Sequence, residues 1–171
     1  MKSPLKGEKR MIRHHPYTGP LEGIPNLQVT KTDEHAKLPT RAEGHSVGLD
    51  VFAFLLTESG RPTSRAIHQK GVTEVSTGII VRPPPGYYIQ ICSQLSLARK
   101  GVFVANAPGI LDDDDPTELH ILLYNGSFET HYVAHEHRIA RLILSPIYGC
   151  NVVQIAQHPE DVHPGPRQSN H

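Results

Sequence analysis

The sequence predicts an all-β protein. Fifteen prolines and fourteen glycines punctuate its 171 residues, and no stretch sustains helical periodicity beyond a turn or two. Between these breaks, runs rich in Val, Ile, Leu and Tyr recur at short intervals, the pattern of strands separated by tight turns. Many short strands with Gly and Pro turns build a sandwich, jelly roll or barrel.

Taken in order, strands are expected at 27–31, 49–55, 72–81, 87–91, 119–124, 130–133 and 139–147. Turn chemistry separates them at Glu58-Ser59-Gly60, Pro83-Pro84-Pro85-Gly86, Ala107-Pro108-Gly109 and Asn125-Gly126, where Gly and Asn tolerate unusual backbone angles and Pro presets φ. The single helical turn expected, 96–100, is ended by Gly101. This length suits one domain, which is read over residues 26–150. Residues 1–25 carry Lys2, Lys6, Lys9, Arg10 and Arg13 against Glu8 and Glu22 with few large apolar groups, and read as a flexible basic arm. A docking or nuclear-import segment is the alternative, disfavoured by the scatter of those charges. Residues 151–171 read as a strand remnant followed by a flexible polar tail.

Lys plus Arg and Asp plus Glu number 17 each. No overall field therefore recruits an anionic membrane, and no specific nucleic-acid partner is expected. Apolar runs such as 139–144 are far shorter than the roughly 18 residues of a membrane span, and charges stand where a signal peptide has its apolar stretch. These features predict an intracellular protein, cytoplasmic or nuclear. Cys92 and Cys150 are too few for a disulfide framework, and Cys92 suits a reduced thiol acting as a small hydrophobe in a strand. His135 and His137 lie two apart among twelve histidines. No Cys pair or helical spacing accompanies them, which favours solvent-exposed imidazoles over zinc.

The segment Leu38-Pro39-Thr40-Arg41-Ala42-Glu43-Gly44, followed by Val47-Gly48-Leu49-Asp50-Val51, resembles the first motif of the trimeric dUTPases. Thr77-Gly78-Ile79 and Pro85-Gly86-Tyr87-Tyr88-Ile89-Gln90-Ile91 are similar to the strands that enter the second motif. Gly109-Ile110-Leu111-Asp112 matches the third, and His137-Arg138-Ile139-Ala140-Arg141-Leu142-Ile143 the fourth. Four motifs in register over residues 27–147 are far more specific than any one of them. The resemblance implies a jelly-roll-like β barrel that assembles as a homotrimer with each site built from several subunits. It also implies a reaction that splits dUTP, with Mg²⁺ on its triphosphate, into dUMP and pyrophosphate.

Hydrolysis needs a carboxylate to orient a water near the α-phosphorus and accept its proton, and Asp112 matches the family's Asp for that role. Asn106, six residues earlier, matches an Asn that contacts uracil in some members, although a turn-forming Asn looks the same. Asp50 matches the first-motif Asp, tied both to the metal and water network and to a structural role at the subunit junction. Phosphate charge calls for donors, Arg above all, and here the chain departs from the pattern. The second motif of the family reads Arg-Ser, a small residue, then Leu-Ala, whereas this chain has Gln94-Leu95-Ser96-Leu97-Ala98. After Asp112 the family has Tyr-Arg-Gly, and this chain Asp115-Pro116-Thr117. The acidic run so formed reads as a solvated turn, with a hard-cation site as the alternative. Arg138 is kept, but Arg141 stands where the family has Gln, a cation that would have to be well placed to replace the one missing at 94. The tail lacks the family's Phe and glycine run. Leu122 occupies the position of the Glu that the related dCTP deaminases need, which disfavours deamination.

Two functions follow. The leading expectation is a dUTPase fold with hydrolysis lost or strongly impaired, kept as a nucleotide-binding or protein-interaction module. Such degenerate relatives occur in DNA viruses and act on host signalling proteins, so the resemblance carries a viral source and a host or cellular protein partner with it. The alternative is an active dUTP diphosphatase in which Gln94, Ser96, Arg138 and Arg141 form a rearranged phosphate cradle with Asp112. Mg²⁺ is expected with bound dUTP or dUMP, and no other cofactor.

Overall fold

The computed structural model describes residues 25–41, 46–112 and 117–154. The expected arm before Pro25, the acidic run past Asp112 and the tail beyond 154 lie outside the described residues. The strands in chain order are β1 (Gln28–Lys31), β2 (Thr40–Arg41), β3 (Leu49–Phe52), β4 (Ser64–Ile67), β5 (Val72–Ser76) and β6 (Ile79–Arg82). β7 (Tyr87–Ser93) then leads into the short helix α1 (Leu95–Ala98), followed by β8 (Val102–Val104), β9 (Gly109–Leu111), β10 (His120–Asn125), β11 (His131–Ala134) and β12 (Arg138–Pro146).

All pairings are antiparallel. A five-stranded sheet runs β2-β3-β12-β7-β9, a three-stranded sheet β5-β10-β8, and β1-β6 and β11-β4 form two-stranded ribbons. Alternation along each strand sends one set of side chains inward. Val51, Ile89, Ile91 and Leu142 meet Val75, Ile121 and Leu123, together with Ile67, Ile79 and Val133 from the ribbons, in one apolar cluster. The all-β jelly-roll barrel expected from the sequence is the fold observed.

Several elements differ from expectation, each for a local reason. The run 72–81 is two strands, because Gly78 takes φ +66° and a Cβ there would lie 2.7 Å from the Ala36 Cβ and 2.8 Å from the Phe54 ring. The helix begins one residue earlier than predicted, where the Gln94 side chain accepts the Leu95 N–H as N-cap. Strands β2, β4, β8 and β9 were invisible to periodicity, since β4 is largely exposed and polar and the other three have only two or three residues. Asn125 is no simple turn residue: fully buried, it donates to the carbonyls of Ile67 in β4 and Glu129 and accepts from the Ser127 N–H and hydroxyl, so all its polar capacity is used in tying its loop to β4.

Glu118 ties three segments together. Its Oε1 accepts from the Ser76 hydroxyl and from the Gly78 N–H at 2.9 Å, and its Oε2 accepts from the Thr32 hydroxyl at 3.3 Å. Burial pushes its carboxyl upward, but these hydrogen bonds and the neighbouring His120 outweigh it and hold Glu118 below the usual carboxylate range. Stability from this group is therefore complete above the ordinary carboxylate pKa and is lost as pH falls through the lowered one. Glu118→Gln is expected to cost about 1–3 kcal/mol at pH 7 and to flatten the fall in stability on the acid side, as urea denaturation at stepped pH would read.

Candidate functional site

The first-motif Asp stands on β3, between the edge strand β2 and the central strand β12 of the five-stranded sheet. Asp50 is in register with Thr40 of β2 on one side and Arg141 of β12 on the other, and its side chain is only 3% exposed. Taking a carboxylate out of water is costly unless donors surround it. Here they do. Oδ1 accepts from Gln94 Nε2 at 3.1 Å and from Arg141 Nε and Nη2, both at 3.2 Å, and Oδ2 accepts from Arg138 Nη1 at 3.2 Å. Two guanidiniums on one carboxylate leave a net positive charge.

Three local features produce this clamp. Residues 138 and 141 are an odd number apart, so strict alternation would send them to opposite faces. A register shift between Arg138 and Ala140 inserts one residue, and both Ile139 and Ala140 are buried. The bulge restores a common face to the two arginines. Gly48 then supplies clearance: a Cβ there would stand 2.3 Å from Cγ and Cδ of Arg141, so the arginine stem passes where only glycine leaves room. Gln94, at the end of β7 and also buried, uses its amide twice, donating to Asp50 and accepting the Leu95 N–H.

The cations keep a face to solvent. The Arg138 side chain is 54% exposed and that of Arg141 34%, so neither spends its full fork of donors on Asp50. Arg138 is delivered by the His135–His137 turn, where His135 Nδ1 accepts the Leu55 N–H and His137 Nδ1 accepts the Ala134 N–H. Nearby His131 has its pKa lowered by burial first, then by Lys100 and His137.

The structure thus unites Asp50, Gln94, Arg138 and Arg141, and the other expected site residues lie elsewhere. Ser96 is exposed on α1, as is Leu95 where the family has a hydroxyl. Asn106 and Asp112 are exposed at the two ends of β9. That strand runs antiparallel to β7 with Leu111 opposite Ile89, five residues before Gln94. Asp50 pairs with Arg141 and Arg141 with Cys92, whereas Asp112 falls level with Tyr88, so four residues at about 3.3 Å and three strand spacings of about 4.8 Å put Asp112 on the order of 19 Å from the Asp50 clamp. Asp50, left open between a metal-network and a structural role, has both oxygens facing protein donors. Among the described residues no group of three His, Cys, Asp or Glu side chains could hold a metal ion, and no helix is long and apolar enough to cross a membrane. Sequence reasoning missed Gly48 and the bulge; consecutive apolar Ile139 and Ala140 between two arginines were the available signal.

A family model described as dUTPase matches residues 34–169. The deoxyuridine 5′-triphosphate nucleotidohydrolase of Hydrogenobaculum sp. (strain Y04AAS1) is 36% identical over 129 residues, covering 75% of this chain and 85% of its own length. The enzyme of the same name from Anaplasma marginale (strain St. Maries) is 32% identical over 111 residues, 64% of this chain and 71% of its own. Among solved structures, a variant dUTPase of phage phi11 of S. aureus, described with a structural Mg(II) ion, aligns with TM-score 0.65 at 17% identity over 78% of this chain and 99% of that one. A variant dUTPase of Staphylococcus phage 80alpha with dUpNHpp gives TM-score 0.66 at 17% identity over 85% and 99%. This chain belongs to the dUTPase family.

Removing the central anion should expose how the clamp is held. Asp50→Asn keeps the shape but leaves two guanidiniums without their charge partner, and is expected to cost about 2 kcal/mol in chemical denaturation. Gly48→Ala is expected to displace Arg141 and cost about 1–3 kcal/mol.

Proposed function

We propose that this protein hydrolyses dUTP to dUMP and pyrophosphate with a phosphate site rearranged around Asp50. The observation that carries the reading is the clamp itself. One part of the case for lost activity was a missing cation at position 94, beside the missing hydroxyl at 95, aromatic residue at 115 and closing tail, and for that part Arg141 brings a guanidinium to the same carboxylate that Gln94 touches. Relatives named as nucleotidohydrolases at 36% and 32% identity also favour activity over its loss.

In this reading Arg138 and Arg141, oriented by Asp50, offer their free N–H groups to phosphate oxygens of Mg²⁺-bound dUTP, the metal arriving with the substrate. Asp112 orients a water at the α-phosphorus and takes its proton as the new P–O bond forms and the bond to the bridging oxygen breaks, releasing pyrophosphate. Asn106 reads the uracil edge, and Ser96 donates at the start of α1. The separation of Asp112 from the clamp supports a site completed between copies of the chain, in keeping with a homotrimer built on residues 26–150. An intracellular setting, cytoplasmic or nuclear, suits a substrate drawn from the nucleotide pool. The exposed Leu95, without a hydroxyl, supports a rate below that of an ordinary member.

Pyrophosphate release from Mg²⁺·dUTP tests the reading. Turnover is expected, with Asp112→Asn lowering it by about 10²- to 10⁴-fold. Co-refolding Asp112→Asn chains with Arg138→Ala chains is expected to recover part of the activity, because some sites then draw both intact residues from different copies. No release above the buffer rate would overturn the proposal and return the binding-module reading.

A further inference from the structure

We infer that Gln94 and Arg141 act as one unit, in which β12 carries the guanidinium and Gln94 positions it through the shared oxygen Asp50 Oδ1. The catalytic half of this inference rests on the hydrolytic reading above; the coupling itself rests on geometry. Three N–H groups from two side chains converge on Oδ1, whereas Oδ2 receives one from Arg138. A donor array this dense ties the orientation of each member to the others.

Charge explains why the partner of Arg141 is an amide. Asp50 already faces two guanidiniums, and a third at position 94 would meet like charge around a single buried anion. An amide there donates without adding charge, and its oxygen caps Leu95, a contact no guanidinium can make because it has no acceptor. Gly48 opens the path by which Arg141 reaches the oxygen from β12. The number of cations on Asp50 therefore matters more than which element supplies them. The family pattern places the same two residue types at these positions in the reverse order, so exchanging them preserves both the charge and the donors on the carboxylate. Gln94 is a positioning residue here, and Arg141 is the group that faces substrate.

The test compares five proteins: the natural chain, Gln94→Arg, Arg141→Gln, the double exchange, and Arg141→Lys as a control. For each, kcat and KM for pyrophosphate release, the dissociation constant of dUpNHpp and the thermal midpoint are measured. Arg141→Gln is expected to lower kcat/KM about 10²-fold or more, chiefly in kcat, and Gln94→Arg alone about tenfold with a lower midpoint. The exchanged protein is expected to return to within about tenfold of the natural one. Arg141→Lys is expected not to rescue, since an ammonium cannot reproduce the two-nitrogen approach to Oδ1. Effects of the two single changes that simply multiply in the double exchange, in kcat/KM and in dUpNHpp affinity, would overturn the inference. Coupling confined to the midpoints would overturn it too, leaving a purely structural contact. If the natural chain releases no pyrophosphate, the hydrolytic reading falls by itself, and non-additive dUpNHpp affinities still decide for the pair or additive ones against it.

Discussion

Burying Asp50 within a five-stranded sheet removes a carboxylate from water, and the penalty for an unpaired buried ion is several kcal/mol. The strand next to it and the N-terminus of the neighbouring helix answer with four N–H donors from three side chains. That requirement orders the region around it. It calls for a bulge in β12 so that Arg138 and Arg141 share a face, a glycine at 48 so that one arginine can pass, and an amide at 94 that donates without adding charge. Because both arginines also reach solvent, the arrangement that satisfies a buried anion leaves an exposed positive surface suited to phosphate oxygens.

The barrel carries other buried polar groups by the same rule. Asn125 closes the loop after β10 with four hydrogen bonds, and Glu118 holds β1, the β5 to β6 turn and the approach to β10. Each fixes the path of a segment without regular pairing, where backbone polar groups would otherwise lack partners. The apolar cluster supplies most of the cohesion, and these polar knots decide which loop conformation accompanies it.

Placement of the expected site residues follows from strand direction. β9 returns along β7, so a carboxylate just past Leu111 and an amide just past Ser93 lie at opposite ends of the shared sheet. The Asp50 clamp and Asp112 are therefore held apart within one chain. Residue identity at one position was a poor guide to charge in this setting. Gln94 suggested a lost cation, whereas the electrostatics at Asp50 depend on every donor within reach, including one from a strand nearly fifty residues further along the chain.

By itself the sequence determined the all-β class, most strand positions and the four ordered motifs, because alternation and turn residues act over a few neighbours and are written locally. It also marked Asp50, Arg138, Arg141 and Gln94 as residues of interest. Tertiary structure alone decided that these four meet at one carboxylate, that a register shift turns two arginines to the same side, and that Gly48 is there for clearance. Those outcomes depend on how separate strands pair and on where a bulge falls, and such pairing has no local sequence period to announce it.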